Sequence, residues 1–209
     1  MSILRYDSPF MKKMNMIVDY FLLGILWLVA SIPVITFGAA TTAAFFTAEK
    51  SIHKDNGKVF STFWTSFCKE FKQATVLWVI ELVLIAVWVV NAFLLRDVEV
   101  NDIIYVLLLL ALLVEFGWMQ LWFAYLSKFN DNTKVLLGNT LRIAIGKFPL
   151  VLLLTVVSLI AIAGFVVALI HLTPIPLFIP GAYLLLAGTV IRKVFKVYLQ
   201  LDTTENTEI

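Results

Sequence analysis

Two carboxylates, Glu81 and Glu115, stand inside long apolar runs, residues 75–95 and 103–126. An ionised acid at membrane depth costs roughly 2.5 kcal/mol or more even on lenient insertion scales. Such a side chain must face other helices, hold its proton, or be paired. The two runs are consecutive, so as antiparallel helices they bring the two acids within reach of each other. Two close carboxylates favour sharing one proton, and a site of that kind suits proton or cation coupling. The plainer alternative is a protonated glutamate bonded to a threonine or a backbone carbonyl of a neighbouring helix. Asn91 and Gln120 lie in the same runs and carry a weaker form of the signal, read as hydrogen bonding between helices.

Catalytic chemistry finds little support. His53 and His171 are far apart in the chain and fall on opposite sides of the membrane in the topology below, so no zinc pair forms. Neither a glycine-rich phosphate loop nor a G-x-S-x-G elbow occurs. Cys68 is the single cysteine; it is read as a small packing residue, the alternative being an exposed thiol near Lys69, and it allows no internal disulfide. We therefore expect no enzyme, no metal and no cofactor.

Composition settles the class of the elements that must hold these acids. The 209 residues are 61% hydrophobic and 14% charged, with mean hydropathy +0.95. Soluble domains are about half apolar and about a quarter charged. Several apolar runs exceed the ~18 residues that separate membrane spans from core helices. A net charge of +2 gives no reason to expect a nucleic-acid partner.

The distribution of charge orders the spans. Arg5, Lys12 and Lys13 precede the first apolar run, residues 16–32. Lys50, Lys54, Lys58, Lys69 and Lys72 lie in the connector after residue 48. One crossing between these basic segments would put them on opposite sides, which the positive-inside rule penalises. A return crossing by residues 34–48 puts both in the cytoplasm. Pro33 suits the turn, since it lacks an N–H and disfavours helix in the residue before it. Fifteen helical residues rise only ~22 Å, short of the ~30 Å hydrocarbon core. A re-entrant segment is the alternative. In the six-span reading, fifteen of the sixteen Lys and Arg face the cytoplasm, and Arg96 alone lies in an outer loop.

The return strip differs from the other spans. Gly38, Ala40 and Ala44 are small, and Thr36 adds a hydroxyl. Small residues let helix backbones approach closely, so this helix is expected to be the one most surrounded by protein. Beyond a turn at Asp55-Asn56-Gly57, Phe60, Phe63, Trp64, Phe67 and Phe71 recur at helical spacing, with Lys69 and Lys72 beside them. This pattern predicts an amphipathic helix lying in the cytoplasmic interface. A second amphipathic connector is predicted near residues 133–146. The expected fold is an all-α transmembrane bundle of about six spans, arranged as three hairpins with two cytoplasmic amphipathic connectors. Residues 1–200 form one domain, and 201–209 a polar, disordered tail. Both termini are expected in the cytoplasm, with anionic lipids at the basic loops.

Ser31-Ile32-Pro33-Val34-Ile35-Thr36-Phe37-Gly38-Ala39-Ala40 resembles the bend motif of the YesL family of bacterial membrane proteins, domain of unknown function 624. Tyr6-Asp7-Ser8-Pro9-Phe10 resembles its N-terminal lead. Phe60, Phe63, Phe67, Phe71, Lys72 and Gln73 are similar to its aromatic connector. The resemblance covers about the first 80 residues. It implies a polytopic cell-membrane protein of uncharacterised activity, associated with carbohydrate uptake beside sugar ABC transporters. The function expected is an accessory component of such uptake, its partner a sugar ABC transporter or a second copy of the chain. The alternative is a small secondary transporter or channel using Glu81 and Glu115.

Overall fold

The computed structural model describes residues 9–52, 58–96, 101–171 and 175–205. The lead around Tyr6, the turn at Asp55-Asn56-Gly57 and residues 206–209 lie outside the described residues, as do His53 and the loop acids Asp97 and Glu99. Among the described residues seven α-helices follow one another: α1 (Pro9–Ser31), α2 (Phe37–Thr47), α3 (Val59–Leu95), α4 (Asp102–Leu126), α5 (Thr133–Gly146), α6 (Phe148–Ile170) and α7 (Ile179–Glu205). Among the described residues there is no strand. Five helices, α1, α3, α4, α6 and α7, are long and apolar enough to cross a membrane.

Local chemistry starts several of them. The Asn101 side chain accepts from the Ile103 N–H at 3.0 Å and opens α4. The Asn132 side chain accepts from the Val135 N–H at 3.1 Å and opens α5. Both satisfy orphan donors of a first turn. Pro149 stands in the first turn of α6, where a missing N–H removes no helical bond.

The outward faces are apolar. Val76, Val83, Val90 and Phe93 of α3, Ile103 and Leu107 of α4, and Ile160 and Val167 of α6 are all exposed. Surfaces this continuous are foreign to a monomer in water and suit hydrocarbon. The polar side chains Thr42, Glu81, Gln120 and Ser158 are instead buried, as expected of polar groups within a membrane.

The return passage begins with a 3₁₀ turn, Val34–Thr36, and ends with a π-helical turn, Ala48–Ile52. Thr36 Oγ1 fastens the bend by donating to the carbonyls of Ala30 at 2.5 Å and Pro33 at 2.6 Å. α2 alone is about 16 Å long, but residues 34–52 are helical throughout, roughly 28 Å at 1.5 Å per residue. Its far end is located by contacts. Glu49 lies 3.9 Å from Lys128, just beyond α4, and both share a crevice with Arg192 of α7. Lys69 of α3 donates to Asn130 at 3.0 Å. The passage therefore returns to the end of the bundle where the basic connectors gather. A segment that turned back at mid-depth would leave Glu49 far from Lys128. α2 is buried on every side, from Gly38 to Phe45 and again at Thr47. Trp27 Nε1 of α1 donates to Thr41 at 3.1 Å.

The aromatic connector departs from expectation. It is the opening stretch of α3, a single helix of 37 residues, about 55 Å long. No glycine or proline interrupts residues 59–95, so nothing bends the stripe into the interface plane. The stripe packs on protein instead. Phe63 is 1% exposed, and Phe67 and Phe71 rest against the core. Phe60 and Trp64 remain 62% and 52% exposed, and Lys69 and Lys72 stand at the surface. Cys68 is exposed too, not a packing residue. α5 matches the second connector as predicted. α7 runs on to Glu205, so helix replaces the expected tail over 201–205. Once nucleated, a helix extends at little cost.

Candidate functional site

α1 and α7 meet without side chains between them. A Cβ added at Gly24 would lie 2.6 Å from the backbone N of Gly181, and one added at Gly181 would lie 2.5 Å from the carbonyl O of Tyr20. Gly38 is similarly pressed against the Ala74 carbonyl, 2.6 Å from where its Cβ would be. Ala40 and Ala44 are fully buried. These small residues fix how closely α1, α2, α3 and α7 approach. What they leave open is a cavity of about 460 Å³ among α1, α2, α3, α4, α6 and α7.

On α3, Trp78, Glu81, Ile85 and Trp88 line it, one face at helical spacing. On α4, Glu115, Phe116, Met119 and Gln120 do the same. Glu81 and Glu115 each lie roughly 20 Å along their helices from the connection between α3 and α4, so the two acids stand at similar depth. Glu81 is 3% exposed, and its Oε2 has no hydrogen-bond partner among the described residues. Glu115 is half-buried; its Oε2 accepts from Trp88 Nε1, while its Oε1 is buried without a partner. Trp78 Nε1 and Ser31 Oγ, also on the cavity wall, have no partner among the described residues either. Unmet buried groups of this kind are rare and call for an explanation.

Gln120 is fully engaged. Its Oε1 accepts from Ser158 Oγ of α6 at 2.7 Å and from Tyr183 OH of α7 at 2.9 Å. It joins three helices, as a buried polar group in a span is expected to do. Asn91 does not. Its side chain is exposed and donates to Val87 O, 2.9 Å away on its own helix, so the interhelical role expected of it is not filled. The distance between i and i+4 positions makes that local bond available without a partner helix.

The bond of Gln120 to Ser158 and Tyr183, and the indole walls from Trp27, Trp78 and Trp88, were not among the sequence candidates. The Trp78–Trp88 face was visible as helical spacing; Ser158 and Tyr183 required the tertiary arrangement.

The basic end of the bundle is a separate feature. Burial pushes the Lys128 ammonium below the usual lysine range; the Glu49 carboxylate works against this, and Arg192 adds to it. Lys128 also sits over the Phe195 ring at 5.3 Å.

The family model described as "Protein of unknown function, DUF624" matches residues 20–92. The chain is similar to that family over this stretch. It covers most of α1, the bend, α2 and α3 almost to its end, so Glu81 falls inside the matched stretch and Glu115 beyond it. No curated protein and no solved structure matches this chain. The chain is thus similar to that family over residues 20–92 and has several helices suited to a membrane.

Proposed function

We propose that this protein is a small carrier that moves a proton or a cation through the intramembrane cavity, with Glu81 and Glu115 as the groups that hold it. One observation carries this reading. Glu81 is buried with an unpartnered oxygen on a cavity shared with Glu115. A purely structural acid would be expected to have its hydrogen bonds met. The test is proton flux into proteoliposomes loaded with pyranine, driven by a potassium–valinomycin potential. The wild type should acidify the lumen well above empty liposomes. The double variant Glu81→Gln, Glu115→Gln should fall to the liposome background. An equal rate in the variant removes the reading.

A second reading, an accessory role beside a sugar ABC importer, is favoured by a different feature. Phe60 and Trp64 stay exposed on the part of α3 at the basic end. This is where the resemblance to the YesL family places its aromatic connector, and an exposed aromatic pair is the usual anchor of an interface. A photoreactive phenylalanine analogue at Trp64 should crosslink to an ABC permease subunit in native membranes. Recovery of no such subunit counts against it.

Both readings place the protein in the cell membrane with its basic end, and both termini, in the cytoplasm, next to anionic lipid. Cys68 reports on this directly, being exposed at that end. An impermeant maleimide should leave Cys68 unmodified in sealed cells and label it after permeabilisation. Labelling in sealed cells would invert the topology.

A further inference from the structure

We infer that the cavity takes an apolar organic cation. This rests on the carrier reading and specifies its substrate class. Three features of the wall point the same way. First, the volume of about 460 Å³ falls in the range of pockets that enclose small organic molecules, roughly 300–1,000 Å³. A bare proton relay needs no such space. Second, the charged groups on the wall are of one sign. Glu81 and Glu115 line the cavity, and among the described residues no Lys, Arg or His does. An anionic ligand would enter with nothing to neutralise it, and burying an uncompensated charge costs several kcal/mol. A cation meets two carboxylates whose free oxygens, Glu81 Oε2 and Glu115 Oε1, accept and do not yet do so. Third, the rest of the wall is mostly apolar, with aromatic residues set among aliphatic ones. Trp27, Trp78, Trp88 and Phe116 are among the lining residues. Ring faces attract a cation within about 6 Å, and more strongly when water is excluded. They also receive the ligand's apolar body.

A sugar fits poorly. Its many hydroxyls each need a partner, and the described polar groups on the wall are few. Gln120, Ser158 and Tyr183 are already bonded to one another. Trp78 Nε1 and Ser31 Oγ, both without a partner among the described residues, leave room for about two polar contacts with the ligand, far fewer than a sugar needs.

The experiment compares two ions of the same shape and opposite charge, tetraphenylphosphonium and tetraphenylborate, by equilibrium dialysis against the purified full chain in detergent micelles, with empty micelles as the blank. Tetraphenylphosphonium should bind at least ten-fold more tightly than tetraphenylborate. Glu81→Gln, Glu115→Gln should erase that preference. Ala161→Trp, which fills the cavity from α6, should remove binding. Equal binding of the two ions, or no binding of the cation above the blank, overturns the assignment of a cation. So does cation binding that survives Ala161→Trp, because it then occurs outside the cavity. The carrier reading is judged separately by the pyranine assay. Carboxylate-dependent proton flux with no preference for tetraphenylphosphonium would sink the ligand class alone, and loss of both would sink the carrier with it.

Discussion

Replacing Gly181 by alanine is expected to lower the unfolding free energy by about 1–3 kcal/mol, the usual cost of overpacking a well-filled contact. The added Cβ would sit 2.5 Å from Tyr20 O and 3.0 Å from Tyr20 C. These are backbone atoms of α1, which cannot rotate aside, so α1 and α7 must separate. Gly24→Ala meets the same wall from the other side, at the N and Cα of Gly181. The cost extends to the cavity, because Trp27 and Leu28 of α1 and Pro180 and Tyr183 of α7 form part of its lining. Gly138→Ala supplies the contrast. It lies within α5, and a Cβ there meets nothing within 4 Å. That change should raise stability by about 0.5–1 kcal/mol, since glycine inside a helix is disfavoured by that amount. Thermal unfolding followed by circular dichroism in micelles measures all three. Unchanged stability in Gly181→Ala would mean that α1 and α7 do not touch as described.

These glycines also mark the limit of what can be read from residues alone. Gly38 stood out because alanines and threonines surround it, and it does lie against α3. Gly24 sits in an ordinary apolar run, and a glycine there has no local signature until its partner on α7 is known. The same division holds elsewhere. The long apolar spans and the limits of α5 follow from hydropathy and periodicity, which are local. The shared depth of Glu81 and Glu115 follows from simple hairpin geometry. For the aromatic stripe, amphipathicity reveals that a face is apolar, not whether lipid headgroups or protein will cover it. Helical periodicity also continues unbroken from Phe60 into the span, and residues 59–95 lack the glycine or proline that would have justified dividing the segment. Ser158 and Tyr183 became functional candidates only when α6 and α7 were seen to converge on Gln120.

Glu81→Met is expected to change stability in the opposite direction, raising it by about 1–3 kcal/mol, the penalty for a buried polar group without a partner. Methionine has a flexible, apolar side chain of related size and fills the same space without strain. Proton flux should disappear in the same variant. Glu115→Met should gain less, because it also strips Trp88 Nε1 of its acceptor and so exchanges one unmet group for another. The sign of the Glu81 result separates the two explanations of this acid. A structural glutamate, hydrogen-bonded to a neighbouring helix, would leave its partners stranded when removed, and the protein would melt earlier. A glutamate kept for a ligand is a local weakness in the absence of that ligand, and its loss firms the fold while ending the activity. Thermal unfolding and pyranine flux on one preparation decide between them. A destabilised Glu81→Met with intact flux would return Glu81 to the role of helix packing and leave the cavity without its defining group.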